Sequence, residues 1–408
     1  MKIAIVGAGL TGLSCAMELR DYNPTIFECC DVGGLLSYYD RGYRIEKFYH
    51  HFFRWDEDLL DLIKRLGLSS RVVWKVTRTG FMINGKVHPL NTPIEILRYP
   101  HLSLFDKLKL AIFTLKSRGR DYTFYDDVGV LDGIRDELGE RLLNNFFMPL
   151  LKAKFGENYD KVSYAWLLAR VAIRSNRKLR GEELGYLKGG FWQLVERMAE
   201  GVEVIKERVD SVGYLNGKFY IRGTEFDAVV WTAPLPLLDK KIAEILELPK
   251  INYQSSICAL LGCKESFSDL YWINVDNAIF GAIIEHTNFM PFEDYGEHLI
   301  YLASYTTPEG DLFKMSERDL ANLYLKEFER LGMDRRKVRW IKVFKARYSA
   351  PIYETGYLKK IVPYRTKLKG FYLAGMFSKP NYPERSMNGS IKAGIEVARV
   401  LKEDFGLS

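Results

Sequence analysis

The chain has 408 residues, of which 47% are hydrophobic, 14% aromatic and 27% charged. This length suggests two or three domains, and the composition excludes both a disordered chain and a small module held together by disulfides. The net charge of +7 is modest for this length. It excludes a dedicated nucleic-acid-binding protein and fits an anionic small molecule or an anionic lipid surface as partner. Five cysteines without Cys-x-x-Cys or Cys/His spacing predict reduced thiols in the cytoplasm and no metal site.

An uncharged stretch, residues 3–17, follows the N-terminus and superficially resembles a secretory signal. It is shorter than the roughly 20 residues that a membrane-spanning helix needs. Its glycines lie where a strand would turn into a helix and not beside a cleavage site. We therefore expect no signal peptide here and, since no longer uncharged stretch follows, no transmembrane helix.

Residues 2–28 predict a strand, a glycine turn, a helix and a second strand, which together form a βαβ unit. The turn has the Gly-x-Gly-x-x-Gly spacing of a dinucleotide site. The first glycine makes the turn, the second lets backbone N–H groups approach a pyrophosphate, and the third lets the helix pack closely on the strand. Glu28 ends the second strand, where its carboxylate would accept hydrogen bonds from both hydroxyls of an adenosine ribose. The candidate nucleotide contacts in this unit are Gly7, Gly9, Leu10, Thr11, Gly12 and Glu28.

Beyond this unit the residue pattern changes several times. Apolar residues at spacings of three and four predict a mainly helical insertion over residues 92–184. β-Branched residues and a Leu-Asn-Gly-Lys turn at 215–218 predict a small sheet over residues 202–232. The remaining predicted elements are strands over 251–305, an amphipathic helix over 317–331, a strand over 370–374 and a helix over about 389–404.

Three further segments indicate which dinucleotide is expected. The first is a Gly-Gly pair at residues 33–34, soon after Glu28. The second extends over residues 186–234, and the third combines residues 371–375 with 388–394. In this order they resemble the three FAD-binding segments of the amine oxidase, protoporphyrinogen oxidase and phytoene desaturase superfamily.

The resemblance extends over the whole chain and implies an α/β fold. A discontinuous Rossmann-like FAD-binding domain would comprise residues 1–75, 185–240 and 360–408, and an inserted mixed α+β substrate domain residues 76–184 and 241–359. The further FAD contacts that it implies are Gly33, Gly34, Val209, Thr232, Ala233, Gly375, Met376, Met387, Asn388, Gly389 and Ser390.

The last helix is expected to lie against the flavin. Residues 382–388 resemble a Tyr-Pro-Glu block that precedes this helix in a subgroup of the superfamily. A helix that starts near Asn388 would direct its N-terminal partial positive charge at the flavin N1/C2 edge and stabilise the anionic reduced flavin. Two positions depart from the superfamily pattern, because Leu35 replaces the usual arginine and Met376 the usual acidic residue.

Five polar residues are candidates for catalysis: His50, His51, Glu285, His286 and Arg347. The adjacent histidines belong to an aromatic segment, residues 46–53, which resembles the one that passes the isoalloxazine in the superfamily. The Glu-His pair forms a polar cluster at a strand end, and the arginine, beside a tyrosine, would bind an anionic substrate. The structural alternatives are packing for the two histidines, a surface turn for the Glu-His pair and a solvated salt bridge for the arginine.

The resemblance implies a flavoenzyme that oxidises a C–N or C–C bond of a small molecule, with hydride transfer to flavin N5. One alternative is an isomerase similar to UDP-galactopyranose mutase, which a requirement for dithionite-reduced flavin would identify. Another is a non-catalytic protein similar to the GDP-dissociation inhibitors, which an absence of bound flavin would favour.

The stretch of residues 94–120 combines many apolar residues with basic ones. On a helix this composition would form a basic element at a membrane surface. The alternative is a helix that packs one face on the substrate domain. We expect a cytoplasmic protein, with peripheral membrane contact through this stretch as the second possibility.

Overall fold

The computed structural model describes residues 1–174 and 181–407. Within them the strands are β1 Ile3–Val6, β2 Thr25–Phe27, β3 Tyr38–Asp40, β4 Arg44–Glu46, β5 Val72–Thr77, β6 Thr79–Ile83, β7 Lys86–Pro89, β8 Glu182–Leu187, β9 Glu203–Ile205, β10 Gly213–Leu215, β11 Lys218–Ile221, β12 Thr224–Phe226, β13 Ala228–Trp231, β14 Tyr253–Cys263, β15 Trp272–Val275, β16 Ala282–Glu285, β17 His298–Thr306, β18 Val338–Pro351 and β19 Phe371–Leu373.

The α-helices of the described residues are α1 Leu10–Glu18, α2 Glu57–Arg65, α3 Pro93–Arg98, α4 Leu104–Ser117, α5 Val130–Leu138, α6 Glu140–Leu142, α7 Met148–Phe155, α8 Tyr164–Arg174, α9 Trp192–Ala199, α10 Lys240–Leu246, α11 Asp311–Lys314, α12 Glu317–Arg330 and α13 Met387–Phe405. None of them combines the length and the hydropathy of a membrane span.

A parallel sheet with the order β19-β13-β1-β2-β9 brings together strands from the beginning, the middle and the end of the chain. All four residues of β1 are buried, which explains why the strand is continuously apolar: both faces of a central parallel strand are covered. Helices α1 and α13 pack together beside it. A Cβ atom on Gly394 of α13 would lie 2.3 Å from the Thr11 carbonyl oxygen, so only glycine allows this close approach.

A second, seven-stranded sheet has the order β18-β14-β17-β16-β15-β6-β7. Its β14 is buried along all 11 residues, and alternate side chains point to opposite faces. Ile257 and Ala259 pack in one apolar cluster with Leu320 and Tyr324 of α12, whereas Cys258 belongs to the core shared with the parallel sheet. The sheet therefore has one face against α12 and the other toward the parallel sheet.

Helices α3 to α8 form the helical insertion that the sequence predicts. Gly133 of α5 allows close contact with α8, since a Cβ there would lie 2.3 Å from the Tyr164 ring. Helix α4 buries Phe113 and leaves the opposite face exposed. Of the predicted range 92–184, residues 175–180 lie outside the described part of the chain.

Two elements differ from the sequence-based expectation. The predicted small sheet over 202–232 is divided, because β9 and β13 join the parallel sheet and only β10, β11 and β12 form a separate one. The last helix begins at Met387, two residues earlier than predicted, because Ser386 caps it. The domain limits given above remain a prediction.

Candidate functional site

A cavity of about 1000 Å³ lies between the two main sheets. The carboxyl ends of β1, β2 and β13 line one side, and residues of β14, β17 and β18 line the other. Helix α8 and parts of the segment 376–390 complete the wall. In an open α/β sheet, the edge at which parallel strands end is the usual place for a ligand.

The glycine turn after β1 borders this cavity. Gly7 has a φ of +107°, which favours glycine, and a Cβ on Gly12 would lie 1.9 Å from the Gly7 carbonyl oxygen. A Cβ on Gly9, by contrast, would have no described atom within 4 Å, although Gly9 lines the cavity. The protein itself therefore requires the first and third glycines, whereas the second leaves space for a ligand.

Glu28 lies buried at the end of β2 and lines the cavity. Its carboxylate accepts hydrogen bonds from the N–H groups of Ala8 (2.7 Å) and Cys30 (2.8 Å). Each carboxylate oxygen has a further lone pair with which it can accept a hydroxyl of a ligand. Glu28 therefore both fixes the two loops and offers acceptors to a ribose.

The glycine pair after β2 lies beside the glycine turn. Gly33 and Gly34 have φ values of +100° and +58°, and a Cβ on Gly34 would lie 3.5 Å from the Gly9 Cα. The two loops thus approach each other without side chains between them. An elongated ligand with a pyrophosphate fits this surface of exposed backbone.

The start of α13 corrects one expectation. The Ser386 hydroxyl accepts the Gly389 N–H at 2.9 Å, and a Cβ on Gly389 would lie 2.5 Å from the Pro380 carbonyl oxygen. Gly389 is therefore a packing glycine whose N–H is already bonded. Among the described residues, the N–H groups of Met387 and Asn388 have no partner, and these two residues line the cavity.

Most predicted cofactor contacts do line the cavity: Gly7, Gly9, Leu10, Thr11, Glu28, Gly33, Gly34, Val209, Thr232, Ala233, Met376, Met387, Asn388 and Ser390. Gly12, Gly375 and Gly389 do not and serve packing or loop geometry instead. The Thr11 hydroxyl donates to the Ser390 carbonyl oxygen at 3.0 Å. This bond joins the glycine turn to the start of α13 and so fixes these two segments relative to each other.

Both predicted histidines line the cavity. The His50 Nδ1 lies 2.7 Å from the Phe48 carbonyl oxygen, which can only accept, so Nδ1 carries the proton and Nε2 offers a lone pair. Burial lowers the pKa of His50 to about 4, and it is neutral at physiological pH. His51 Nδ1 lies 3.1 Å from the Tyr271 hydroxyl.

Glu285 and His286 do not line the cavity, contrary to their expected role at the substrate. The Glu285 carboxylate accepts the Phe267 N–H (2.8 Å) and the Ser268 hydroxyl (2.5 Å), and it is fully buried. His286 Nε2 pairs with the Tyr295 hydroxyl at 2.7 Å. The strand end that looked like an exposed polar cluster is covered by these loops, so both residues have structural roles.

Arg347 lines the cavity, but its side chain is 53% exposed and lies 3.4 Å from Glu309. It therefore belongs to the rim and not to the interior.

A polar group that the sequence revealed only in part lies deeper in the cavity. Arg170 of α8 lies 3.0 Å from Glu384, and Lys154 of α7 lies 3.8 Å from the same oxygen. Burial raises the pKa of Glu384, but these cations more than compensate and hold it below its ordinary value. The hydroxyls of Tyr49 and Tyr305 are hydrogen-bonded to each other nearby.

The sequence indicates the acid of this polar group but not its cations. Glu384 falls within the segment 382–388, whose resemblance pointed to this place. Lys154 and Arg170 lie in the helical insertion without any local motif, and only the packing of α7 and α8 brings them to the cavity.

Comparison with known proteins agrees with this geometry. The sequence model of the family described as flavin containing amine oxidoreductase matches residues 10–402. The 15-cis-phytoene desaturase of Capsicum annuum is 24% identical over an alignment that covers 100% of this chain and 78% of that protein. Coproporphyrinogen III oxidase of Staphylococcus aureus is 26% identical over 52% of each chain.

Solved structures share the fold at lower identity. A protein from an Exiguobacterium species, provisionally assigned as a protoporphyrinogen oxidase, has a TM-score of 0.78, 18% identity and 99% coverage of both chains. Reduced UDP-galactopyranose mutase has a TM-score of 0.70 and 16% identity, with 100% of this chain and 96% of that chain covered. Putrescine oxidase has a TM-score of 0.71 and 14% identity, with 99% of each chain covered.

The glycine turn, the glycine pair and Glu28 form a surface that fits FAD, and the family match includes nearly the whole chain. The α/β fold with a Rossmann-like parallel sheet and a second sheet agrees with the sequence-based expectation. The chain belongs to the flavin-containing amine oxidoreductase family, and it is an oxidoreductase whose cofactor is FAD.

Proposed function

We propose that this enzyme removes hydride from a C–H group of a small-molecule substrate that binds next to the flavin. The observation that carries this proposal is the continuity of one cavity, from the glycine loops to the polar group around Glu384. When bound, FAD supplies the electron-pair acceptor, since N5 of its isoalloxazine takes hydride.

The chain's own residues would hold the cofactor in an extended form. Glu28 would accept the ribose hydroxyls, and the backbone at Gly9 and Gly34 would face the pyrophosphate. The N–H groups of Met387 and Asn388 would donate to the far end, where helix α13 adds its partial positive charge. Asn388 is itself fixed, because its amide oxygen accepts the Leu59 N–H at 3.0 Å.

The residues around the substrate would orient it and exclude water. Burial is the main cause that raises the pKa of Tyr49 well above its ordinary value, so its hydroxyl stays protonated and can donate a hydrogen bond. The neutral His50 offers Nε2 as an acceptor beside it. Trp272 packs edge-on against the Tyr49 ring at 4.9 Å, which makes this wall of the cavity apolar.

The test is reduction of the bound flavin by a substrate without oxygen, with a product that has lost two hydrogen atoms. A second candidate function, isomerisation, is supported by the fold that is shared with UDP-galactopyranose mutase. It predicts a product of unchanged composition and turnover only after prior reduction of the flavin.

We also propose that the protein docks on an anionic membrane surface through α3 and α4. Leu104, Leu108, Ile112 and Leu115 recur at helical spacing on α4, and all are exposed, Leu104 by 74%. Phe105 of the same helix is 61% exposed. An uninterrupted apolar stripe toward solvent is unusual for a helix whose other face is packed.

The charges around this stripe favour an anionic occupant. Residues 94–120 contain six basic residues and two acidic ones. The two acids are engaged within the protein, and so is one base, Arg120, which pairs with Glu137 at 2.6 Å. Asp106 lies 2.8 Å from Arg141, and Glu95 accepts backbone N–H groups at the start of α3. Exposed apolar side chains with cations beside them suit insertion into the headgroup region of an anionic bilayer.

A further inference from the structure

The inner part of the cavity carries more positive than negative charge. Lys154, Arg170 and Arg385 line it, and Glu384 is the carboxylate among them. The Glu384 carboxylate accepts hydrogen bonds from Trp166 Nε1–H and from Arg170, and Lys154 lies at ion-pair distance. One acid therefore serves three cations, and only Lys154 and Arg170 are paired with it directly.

Arg385 is the cation that remains. Among the described residues, its guanidinium has no hydrogen-bond or ion-pair partner, although it is only partly exposed and lines the cavity. It lies close to His50: burial is the main cause of that residue's lowered pKa, and the charge of Arg385 lowers it further. A guanidinium that borders a cavity and whose five donors have no hydrogen-bond partner among the described residues favours an anionic ligand there.

The other charges that face this space do not neutralise Arg385. Arg347 at the rim is itself basic, and Lys345 donates to the Met315 carbonyl oxygen at 3.1 Å. Among the other acids that line the cavity, Glu28 and Asp56 accept backbone N–H groups. The remaining three pair with other cations: Asp31 with Lys47, Glu207 with Arg222 and Glu317 with Lys342. The charge of Glu384 acts on Arg385 too, but this one carboxylate is shared with Lys154 and Arg170, so the three cations keep an excess of positive charge.

We propose that the substrate carries an anionic oxygen group, a carboxylate or a phosphate, that pairs with Arg385. Lys154 and Arg170 increase the positive potential behind it, since they share a single carboxylate. An alkylammonium substrate would be repelled by the same three cations. Although the family is named after amines, this member is therefore selective for an acid. This inference rests on the proposed function, because it identifies the substrate class of the same cavity.

The test uses four ligands with one aromatic body and different charge: benzoate, benzyl phosphate, benzyl alcohol and benzylamine. Each is titrated calorimetrically into the FAD-loaded protein. We expect an anion to bind at least about tenfold more tightly than the alcohol, and benzylamine to bind weakest, as is typical of charge-assisted hydrogen bonds. A preference for benzoate over benzyl phosphate, or the reverse, distinguishes a carboxylate from a phosphate.

Arg385→Gln should weaken the binding of the preferred anion by about tenfold or more, so that the anion no longer binds more tightly than the alcohol. The visible spectrum of bound FAD should stay unchanged. Arg336→Gln is the matched control, because Arg336 lies outside the cavity and pairs with Asp334 at 2.8 Å. It removes the same net charge and should leave all four affinities unchanged.

Equal binding of the four ligands, binding of none, or tightest binding of benzylamine would overturn the proposal. An anion preference that Arg385→Gln does not reduce would overturn it as well. The proposed function fails separately, if the preference is present but no substrate transfers hydride. The affinities therefore test the subsite without relying on turnover.

Discussion

Gly12 packs so closely on the glycine turn that its Cβ position lies 1.9 Å from the carbonyl oxygen of Gly7. A Cβ atom on Gly9, two residues after Gly7, would have no described atom within 4 Å. One motif thus contains a glycine that the fold requires and a glycine that leaves free space at the cavity.

Substitution by alanine should separate these two roles. Gly12→Ala should lower the free energy of unfolding by about 1–3 kcal/mol, because the added methyl overlaps with backbone that cannot move easily. Gly9→Ala should leave the apoprotein's stability nearly unchanged, since its φ of −75° suits alanine, yet it should weaken FAD binding several-fold. Urea denaturation of the apoproteins and fluorescence titration with FAD measure the two effects.

Equal FAD affinity of Gly9→Ala and the parent protein would contradict the position given to the pyrophosphate. A loss of apoprotein stability as large as that of Gly12→Ala would contradict the free space at Gly9.

Glu285→Gln should change the pH dependence of stability. Burial raises the pKa of Glu285 to about 7, despite the hydrogen bonds from Ser268 and Phe267, whereas the ordinary value is 4.5. Between pH 4.5 and 7 the folded state keeps a proton on Glu285 that the unfolded state has released. The stability that this proton contributes is complete below about pH 4.5 and is lost as the pH rises through 7. Glutamine mimics the protonated carboxyl and does not titrate.

The variant should therefore be more stable than the parent at pH 8, by about 1–3 kcal/mol, with a flatter profile from pH 4.5 to 7. Denaturation at a series of pH values measures this. If stability is unchanged and the flavin no longer accepts electrons from the substrate, Glu285 acts in catalysis and the structural role given to it is wrong.

The membrane surface can be tested with vesicles. The protein should sediment with phosphatidylglycerol-containing vesicles at low salt, remain in solution with phosphatidylcholine alone, and be released by high salt, which screens the attraction. Replacing Leu104 and Leu108 by Ser should reduce the bound fraction several-fold. Leu215→Ser is the control, because Leu215 is 61% exposed on a hairpin far from α4 in sequence.

Two outcomes would contradict this docking. Sedimentation that the α4 variants do not affect would exclude α4 as the contact. A dimer in solution that the same variants dissociate would show that a second copy of the chain covers the stripe.

The sequence predicted those parts of the site in which one short segment carries the chemistry. The glycine turn and Glu28 belong to one βαβ unit, and local spacing suffices to recognise it. Lys154 and Arg170 could not be predicted, because their meeting with Glu384 depends on the packing of the helical insertion. The burial of Glu285 could not be predicted either, because the loop that covers it comes from another segment, residues 267–268.

Strand β18 also escaped prediction, although it is the longest strand of the described residues. It carries basic residues among the apolar ones, as edge strands do, and it lies at the end of the seven-stranded order. Helix α13 starts earlier than predicted because Ser386 caps it, whereas the prediction placed the start at the Asn-Gly-Ser segment that follows.

The most direct test of the central claim is anaerobic mixing of the FAD-loaded, oxidised protein with nucleotide sugars, porphyrinogens, prenyl compounds and amines. We predict that an acid or phosphate in this panel bleaches the visible flavin absorbance and yields a product that has lost two hydrogen atoms. If no compound bleaches the oxidised flavin, while dithionite-reduced protein converts one of them into an isomer of unchanged mass, then the protein is not the hydride-accepting oxidoreductase proposed here.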